Sequence, residues 1–233
     1  MTYFSLNITN KCNKACPYCV NIDYINKTEY PDIMNFNDLR NWLEKEIGED
    51  DIVEMAGTGE PTLCEWLPNL LQYLEDKKAW TMLRTNGFKL GEWRKKLART
   101  LVILSKHDSG DDYISDKCKY LLPHDLILII DKIVEKGNVN NPLSGTLAKH
   151  NSHIISKAFF ITPDGRVRFM PCDQQDMGTV WDYHPREFIC FNFSHCPFML
   201  GAYNFIEYLK SPFDLPDGYN HVLAKKLRGM RYD

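Results

Sequence analysis

The 233-residue sequence predicts an α/β protein built on a parallel sheet. Three observations predict it. Strand-like and helix-like patterns alternate at least four times between residues 3 and 130. The later strand segments, LVILS at Leu101 to Ser105 and LILII at Leu126 to Ile130, are nearly continuous apolar runs, as strands covered on both faces are. The stretches of unusual residues all follow strand C-termini, where α/β barrels gather their active sites.

The elements follow in order. YFSLNIT, Tyr3 to Thr9, alternates well enough for a first strand and runs into a cysteine loop. Asn21 to Pro31 is polar and irregular. From Asn35 a helix is expected, with Phe36, Leu39, Leu43 and Ile47 on one face and Asn35 or Asn37 as cap. Asp51 to Ala56 (DIVEMA) reads as the second strand, and Leu67, Leu70, Leu71 and Leu74 have strong helical spacing. Ala79 to Arg84 is the third strand, followed by a short basic helix over about Gly91 to Arg99. Leu101 to Ser105 is the fourth strand, Asp111 to Leu122 has helical potential, and Leu126 to Ile130 is the fifth strand. A sixth is expected near Ile154 to Ile161, unless the set is shortened.

Lys136 to Pro142 (KGNVNNP) is a turn-rich break, which puts a boundary near residue 145. Beyond it, Ala158 to Ile161, the turn Thr162-Pro163-Asp164-Gly165, and Arg166 to Met170 read as a β-hairpin. Helix-like stretches follow near Tyr203 to Leu209 and His221 to Met230.

Composition narrows the function. Apolar residues make up 44%, enough for a core, and no apolar run approaches a membrane span, so no membrane partner is expected. The net charge of −3 gives no general argument for nucleic acid. Eight cysteines with no stretch reading as a secretory signal point to thiols or metal ligands in a reducing cytoplasm.

Three of those cysteines, Cys12, Cys16 and Cys19, lie within eight residues as C-x3-C-x2-C. Soft thiolates at this density suit an iron–sulfur cluster or zinc. Three thiolates on a four-iron cluster leave one iron open to a small molecule. A zinc site completed by a distant fourth ligand is the lesser alternative for the loop alone.

The spacing resembles the cluster loop of the radical S-adenosylmethionine (SAM) superfamily. The resemblance implies a [4Fe-4S] cluster on Cys12, Cys16 and Cys19 whose open iron binds SAM. Reductive cleavage of SAM would then yield a 5′-deoxyadenosyl radical that abstracts hydrogen from a substrate. Tyr18 matches the family's aromatic position near the adenine. Gly57-Thr58-Gly59-Glu60-Pro61 resembles the family's GGEP motif, with Thr58 where glycine is frequent. It implies backbone close to SAM and Glu60 accepting from its ammonium. Thr85-Asn86-Gly87 resembles a recurrent TNG turn, with Asn86 toward SAM or substrate or simply shaping the turn. Ser105 matches a position near the SAM ribose, beside His107 and Asp108. The implied fold is a partial (β/α) barrel of five or six parallel strands over residues 1–145. Three motifs in family order, on successive strand ends, are specific, and zinc explains neither the second motif nor its place.

Residues 146–233 are expected to form a small extension containing the hairpin. Cys172 followed by Gly178 resembles the start of the SPASM and twitch auxiliary-cluster domains, and Cys190 and Cys196 supply further ligands for one auxiliary iron–sulfur cluster. Neither domain's full cysteine pattern is complete. The fourth ligand is left to Cys118, Cys64, His195, an aspartate or none. Burial as small apolar residues is the alternative for Cys172, Cys190 and Cys196. The implied partners are a peptide or small-molecule substrate and a reductant such as flavodoxin or ferredoxin. Two alternatives remain: a radical SAM enzyme acting on a nucleobase or nucleic acid, supported only by basic Arg94 to Lys96 and Arg99, and a non-catalytic metal-binding interaction module.

Overall fold

The computed structural model describes residues 2–16, 19, 25–28, 31–55, 59–91, 94, 99–106, 119–122, 125–129, 157–169, 175–182 and 219–221. They form strands β1 (Thr2–Leu6), β2 (Ile52–Met55), β3 (Trp80–Thr85), β4 (Thr100–Lys106), β5 (Leu126–Ile129), β6 (Lys157–Ile161), β7 (Arg166–Phe169), β8 (Gln175–Thr179) and β9 (Tyr219–His221). Two α-helices, α1 (Phe36–Glu46) and α2 (Leu67–Asp76), and a 3-10 turn at Pro61–Leu63 complete the set.

The strands make one mixed sheet in the order β8-β7-β6-β1-β2-β3-β4-β5-β9. Its centre is parallel: β1 with β2, β2 with β3, β3 with β4, β4 with β5. The sixth parallel strand lies beside β1 rather than beyond β5. It is also the first arm of the expected hairpin, because β6 pairs antiparallel with β7 across Thr162 to Gly165. One sheet thus draws strands from both sides of residue 145. β9 pairs antiparallel with β5, so His221 is in a strand and not at the start of a helix; residues 222–230 lie outside the described residues, as do residues 203–209.

β1 is shorter than the alternation suggests. Thr9 and Asn10 leave the ladder because Asp32 takes them: Thr9 Oγ1 donates to Asp32 Oδ2, and the Asn10 N–H donates to Oδ1 at 2.7 Å. α1 starts at Asn35, whose side chain accepts from the N–H groups of Asn37 and Asp38 while Asp38 caps back, a reciprocal capping box. Its buried Leu39, Trp42 and Leu43 face the sheet. Trp42 meets Phe4 and Phe159 edge-on at 5.9 and 5.3 Å between ring centroids, and these two rings stack on each other. Such aromatic pairs add about 0.5–1.5 kcal/mol each beyond burial.

α1 therefore covers the Phe4 face of the sheet. Alternation puts Tyr3, Ser5, Glu54, Met82 and Arg84 on the other face. There Tyr3 Oη donates to Glu54 Oε2, and Arg84 Nε donates to Glu54 Oε1 at 2.6 Å. Burial, then the Glu54 charge, holds the Tyr3 phenol well above its ordinary pKa.

Of the basic stretch expected as a helix, Gly91, Arg94 and Arg99 are described. Gly91 has φ +59°, which breaks helical geometry at its start. Arg94 is fully buried and donates to Asp125 and to the Thr100 carbonyl. Arg99 donates to the Lys78 carbonyl and lies over the Trp80 ring at 4.5 Å. Both arginines that suggested nucleic acid are thus engaged within the fold. No helix among the described residues is long and apolar enough to cross a membrane.

Candidate functional site

The cysteine loop leaves the C-terminal end of β1 and is tied down from three sides. From below, Asp32 holds Thr9 and Asn10 as described. From the side, Asn26 clamps Cys12 at two points: the Cys12 N–H donates to Asn26 Oδ1 at 3.0 Å, and Asn26 Nδ2 donates to the Cys12 carbonyl at 2.9 Å. Asn26 sits at φ +57°, a conformation asparagine tolerates, and its own N–H reaches the Asn10 carbonyl at 3.0 Å. From above, the turn after β2 packs on the loop backbone. The Glu60 N–H donates to the Lys11 carbonyl at 2.8 Å. A Cβ on Gly59 would lie 2.4 Å from the Thr9 carbonyl oxygen and 2.6 Å from that of Lys11, so only glycine fits.

Within the loop none of the three thiols is in a disulfide, and all are partly exposed. The Cys19 N–H donates to the Cys16 carbonyl at 3.0 Å, and the Lys14 N–H points at Cys12 Sγ at 3.4 Å. Burial pushes the Cys12 thiol pKa up, the Lys14 N–H opposes this, and the negative charges of Glu60, Cys16 and Cys19 add to the rise. Among the described residues no three His, Cys, Asp or Glu side chains are grouped as ligands of one metal ion. By donor chemistry the loop nevertheless fits an iron–sulfur group: three soft thiols on eight residues, none in a disulfide, one already receiving a backbone N–H.

Glu60 is 3% exposed and both its carboxylate oxygens accept hydrogen bonds. Oε1 accepts from the Thr62 N–H at 3.0 Å, from Thr62 Oγ1 at 2.6 Å and from Thr85 Oγ1; Oε2 accepts from the Asn86 N–H at 2.7 Å. The carboxylate thus joins the turn after β2 to the turn after β3. Asn86 continues the path: its Nδ2 donates to Asn13 Oδ1, inside the cysteine loop, at 2.9 Å, and its Oδ1 accepts from the Phe88 N–H at 3.1 Å. Of the expected motif residues, Glu60 and Asn86 are bonded to each other and reach the cysteine loop at Lys11 and Asn13, and Gly59 packs on the loop backbone. Ser105 lies at the end of β4, half-buried, on the Glu54–Arg84 face.

Tyr18, Gly57, Thr58, His107, Asp108, Cys118, Cys172, Cys190, His195 and Cys196 lie outside the described residues. Cys64 sits in the core at 8% exposure, where burial pushes its thiol up to about 12, so it is an inert thiol and not an activated one. Asn26, Asp32, Asn13 and Thr85 were not singled out from the sequence. Asn and Asp in an irregular segment after a motif loop favour side-chain-to-backbone turns, the one available signal for Asn26 and Asp32.

A parallel α/β sheet whose cysteine loop follows its first strand and is bonded to the turns after the next two strands has the layout of an α/β barrel enzyme. A family model described as the radical SAM superfamily matches residues 6–144, more than half of the chain. The chain belongs to the radical SAM superfamily of enzymes, with a SAM-binding [4Fe-4S] cluster implied.

Among curated proteins it is similar to a 7,8-dihydro-6-hydroxymethylpterin dimethyltransferase of Methanocaldococcus jannaschii, 31% identical over 139 residues, which are 56% of this chain and 26% of the relative. The match thus spans about a quarter of that relative's length. Among solved structures, BtrN in complex with AdoMet and 2-DOIA is 16% identical, with 93% of this chain and 87% of that one covered, at a TM-score of 0.52. Native anSMEcpe with bound AdoMet and Cp18Cys peptide is 14% identical, with 93% and 84% covered, at a TM-score of 0.45. The BtrN likeness shows that the fold is shared.

Proposed function

We propose that this chain cleaves SAM reductively and uses the resulting radical to abstract hydrogen from a small molecule. The observation that carries the reading is the loop of three thiols, none in a disulfide, at the end of β1, tied by a backbone bond to the glycine–glutamate turn after β2. Cys12, Cys16 and Cys19 would hold the cluster. When bound, that cluster supplies the electron that splits SAM into methionine and a 5′-deoxyadenosyl radical.

The chain's own groups bind and orient. Gly59, lacking a side chain, brings backbone close to the loop. Glu60 accepts from three protein donors on Oε1 and one on Oε2, so it holds the turn and the Asn86 amide while Oε2 keeps room for the SAM ammonium. Asn86, tied to Asn13, keeps the β3 turn in register with the cysteine loop. Tyr18, Gly57, Thr58 and Ser105 complete the proposed SAM-binding set.

A small molecule is preferred as substrate because the curated relative is named for a pterin and BtrN is complexed with 2-DOIA. A peptide is the second choice. Cys172, Cys190 and Cys196 are proposed as ligands of one auxiliary iron–sulfur cluster, in an extension after residue 145. A flavodoxin or ferredoxin in a reducing cytoplasm would supply electrons. The test is anaerobic reconstitution followed by an assay for 5′-deoxyadenosine with dithionite. Wild type should form it, and the Cys12, Cys16, Cys19 triple alanine variant should not; equal formation by both refutes the reading.

A further inference from the structure

Asn7 is the first residue beyond β1, and its N–H continues the ladder by donating to the Ile161 carbonyl at 2.8 Å. Alternation therefore keeps it on the face of Tyr3 and Ser5, opposite the one α1 covers. Right-handed strand–helix–strand connections put their helices on that covered side, which leaves the Asn7 face as the inner one. Asn7 is only 2% exposed, yet neither its Oδ1 nor its Nδ2 has a hydrogen-bond partner among the described residues. Buried polar groups are rarely left unmade, and each such exception asks for a partner.

The position supports a ligand as that partner. Asn7 stands at the C-terminal end of β1, five residues before Cys12, where α/β barrels bind what they act on. Phe160, half-buried, is opposite Ser5 on the neighbouring strand and shares the same face. A carboxamide presents one acceptor beside one donor. A carboxylate would engage only the donor, and an ammonium only the acceptor. The amino-acid end of SAM carries both groups and would also engage both atoms, so a ligand that keeps the adenine and lacks that end must separate the two cases. A flat nitrogen heterocycle with a donor beside an acceptor satisfies both atoms at once, as asparagine does on adenine.

We propose that Asn7 reads the edge of a nitrogen heterocycle on the inner face of the sheet. That ring is either the adenine of SAM or a lactam-bearing substrate ring. The inference rests on the radical SAM reading, which the 5′-deoxyadenosine assay above tests separately on the wild type.

The experiment compares wild type and Asn7→Leu as anaerobically reconstituted holoenzymes, with equilibrium dialysis of SAM, pterin and guanine. Leucine keeps the volume and removes both polar atoms. The iron content of Asn7→Leu should match wild type, and its apo-protein melting temperature should be equal or higher, because an unpartnered amide is lost. Affinity should fall at least tenfold for SAM, and equally for 5′-deoxyadenosine dialysed in parallel, if the ring is adenine; a fall for SAM with 5′-deoxyadenosine unchanged assigns Asn7 to the amino-acid end and overturns the proposal. It should fall at least tenfold for pterin or guanine, with SAM unchanged, if the ring is the substrate's. Unchanged affinity for SAM together with unchanged or undetectable binding of both lactams overturns the proposal, as does a lowered apo melting temperature, which marks Asn7 as an internal structural group.

Discussion

Replacing Gly59 by alanine tests whether the turn after β2 is packed on the cysteine loop as tightly as the geometry requires. A Cβ there would stand 2.4 Å from the Thr9 carbonyl oxygen, 2.6 Å from that of Lys11 and 3.0 Å from the Asn10 carbonyl carbon. Every one of these is backbone, so no side chain can swing away. Cβ atoms essentially never come closer than 3.0 Å, so the turn or the loop must move by at least 3.0 − 2.4 = 0.6 Å. Overpacking of this kind costs about 1–3 kcal/mol. The Glu60 N–H bond to the Lys11 carbonyl, 2.8 Å long, is strained by the same shift and contributes about 0.5–1.5 kcal/mol. The expected loss is thus about 2–4 kcal/mol, or roughly 4–16 °C in melting temperature at about 2–4 °C per kcal/mol for a chain of this size. The same displacement moves the thiols, so iron retained after anaerobic reconstitution should fall as well. Differential scanning calorimetry of the apo protein and iron analysis measure the two effects independently. A Gly59→Ala variant with wild-type melting temperature and full iron would refute the packing argument.

Other outcomes follow from the same bonds. Glu60→Gln puts an NH2 against either the Asn86 N–H or the Thr62 N–H, leaving a buried donor unpaired; we expect a loss of about 1–3 kcal/mol in apo stability, and weaker SAM binding by dialysis with the iron kept. Asp125→Ala strands the fully buried Arg94 charge and frees the N–H groups of Val102 and Leu122, which should cost about 3–5 kcal/mol in a urea titration. Asn26→Ala removes both ties on Cys12 and should speed loss of iron to a chelator several-fold, visible as decay of the cluster absorbance. Above pH 9 the unfolded chain ionises Cys64 while the folded chain, its thiol held up to about 12, does not. The unfolded state then binds fewer protons, so stability should fall as pH rises from about 9 toward 12. Cys64→Ala should flatten that slope in melting curves.

The sequence by itself determined the elements whose signals are local. The leucine spacing of Leu67 to Leu74 and the capped pattern from Asn35 name both helices, because a 3.6-residue apolar period needs no distant partner to be read. The thiol loop, the Gly59–Glu60 turn and the Asn86 turn were legible as motifs for the same reason: each is contiguous, and each follows a recognisable strand.

The tertiary structure alone decided what depends on residues far apart in the chain. β6 could be recognised as a strand, but its place beside β1, parallel to it, rests on pairing across about 150 residues that no local pattern encodes. Arg94 read only as part of a basic cluster, and the fold buries it against Asp125. Glu60 read as an acceptor for an ammonium, and only the fold shows its carboxylate also bound by Thr85 and Asn86 of the turn after β3. In each case the hydrogen-bond partner lies on another strand or turn, so the energy that fixes the group exists only after the sheet has formed.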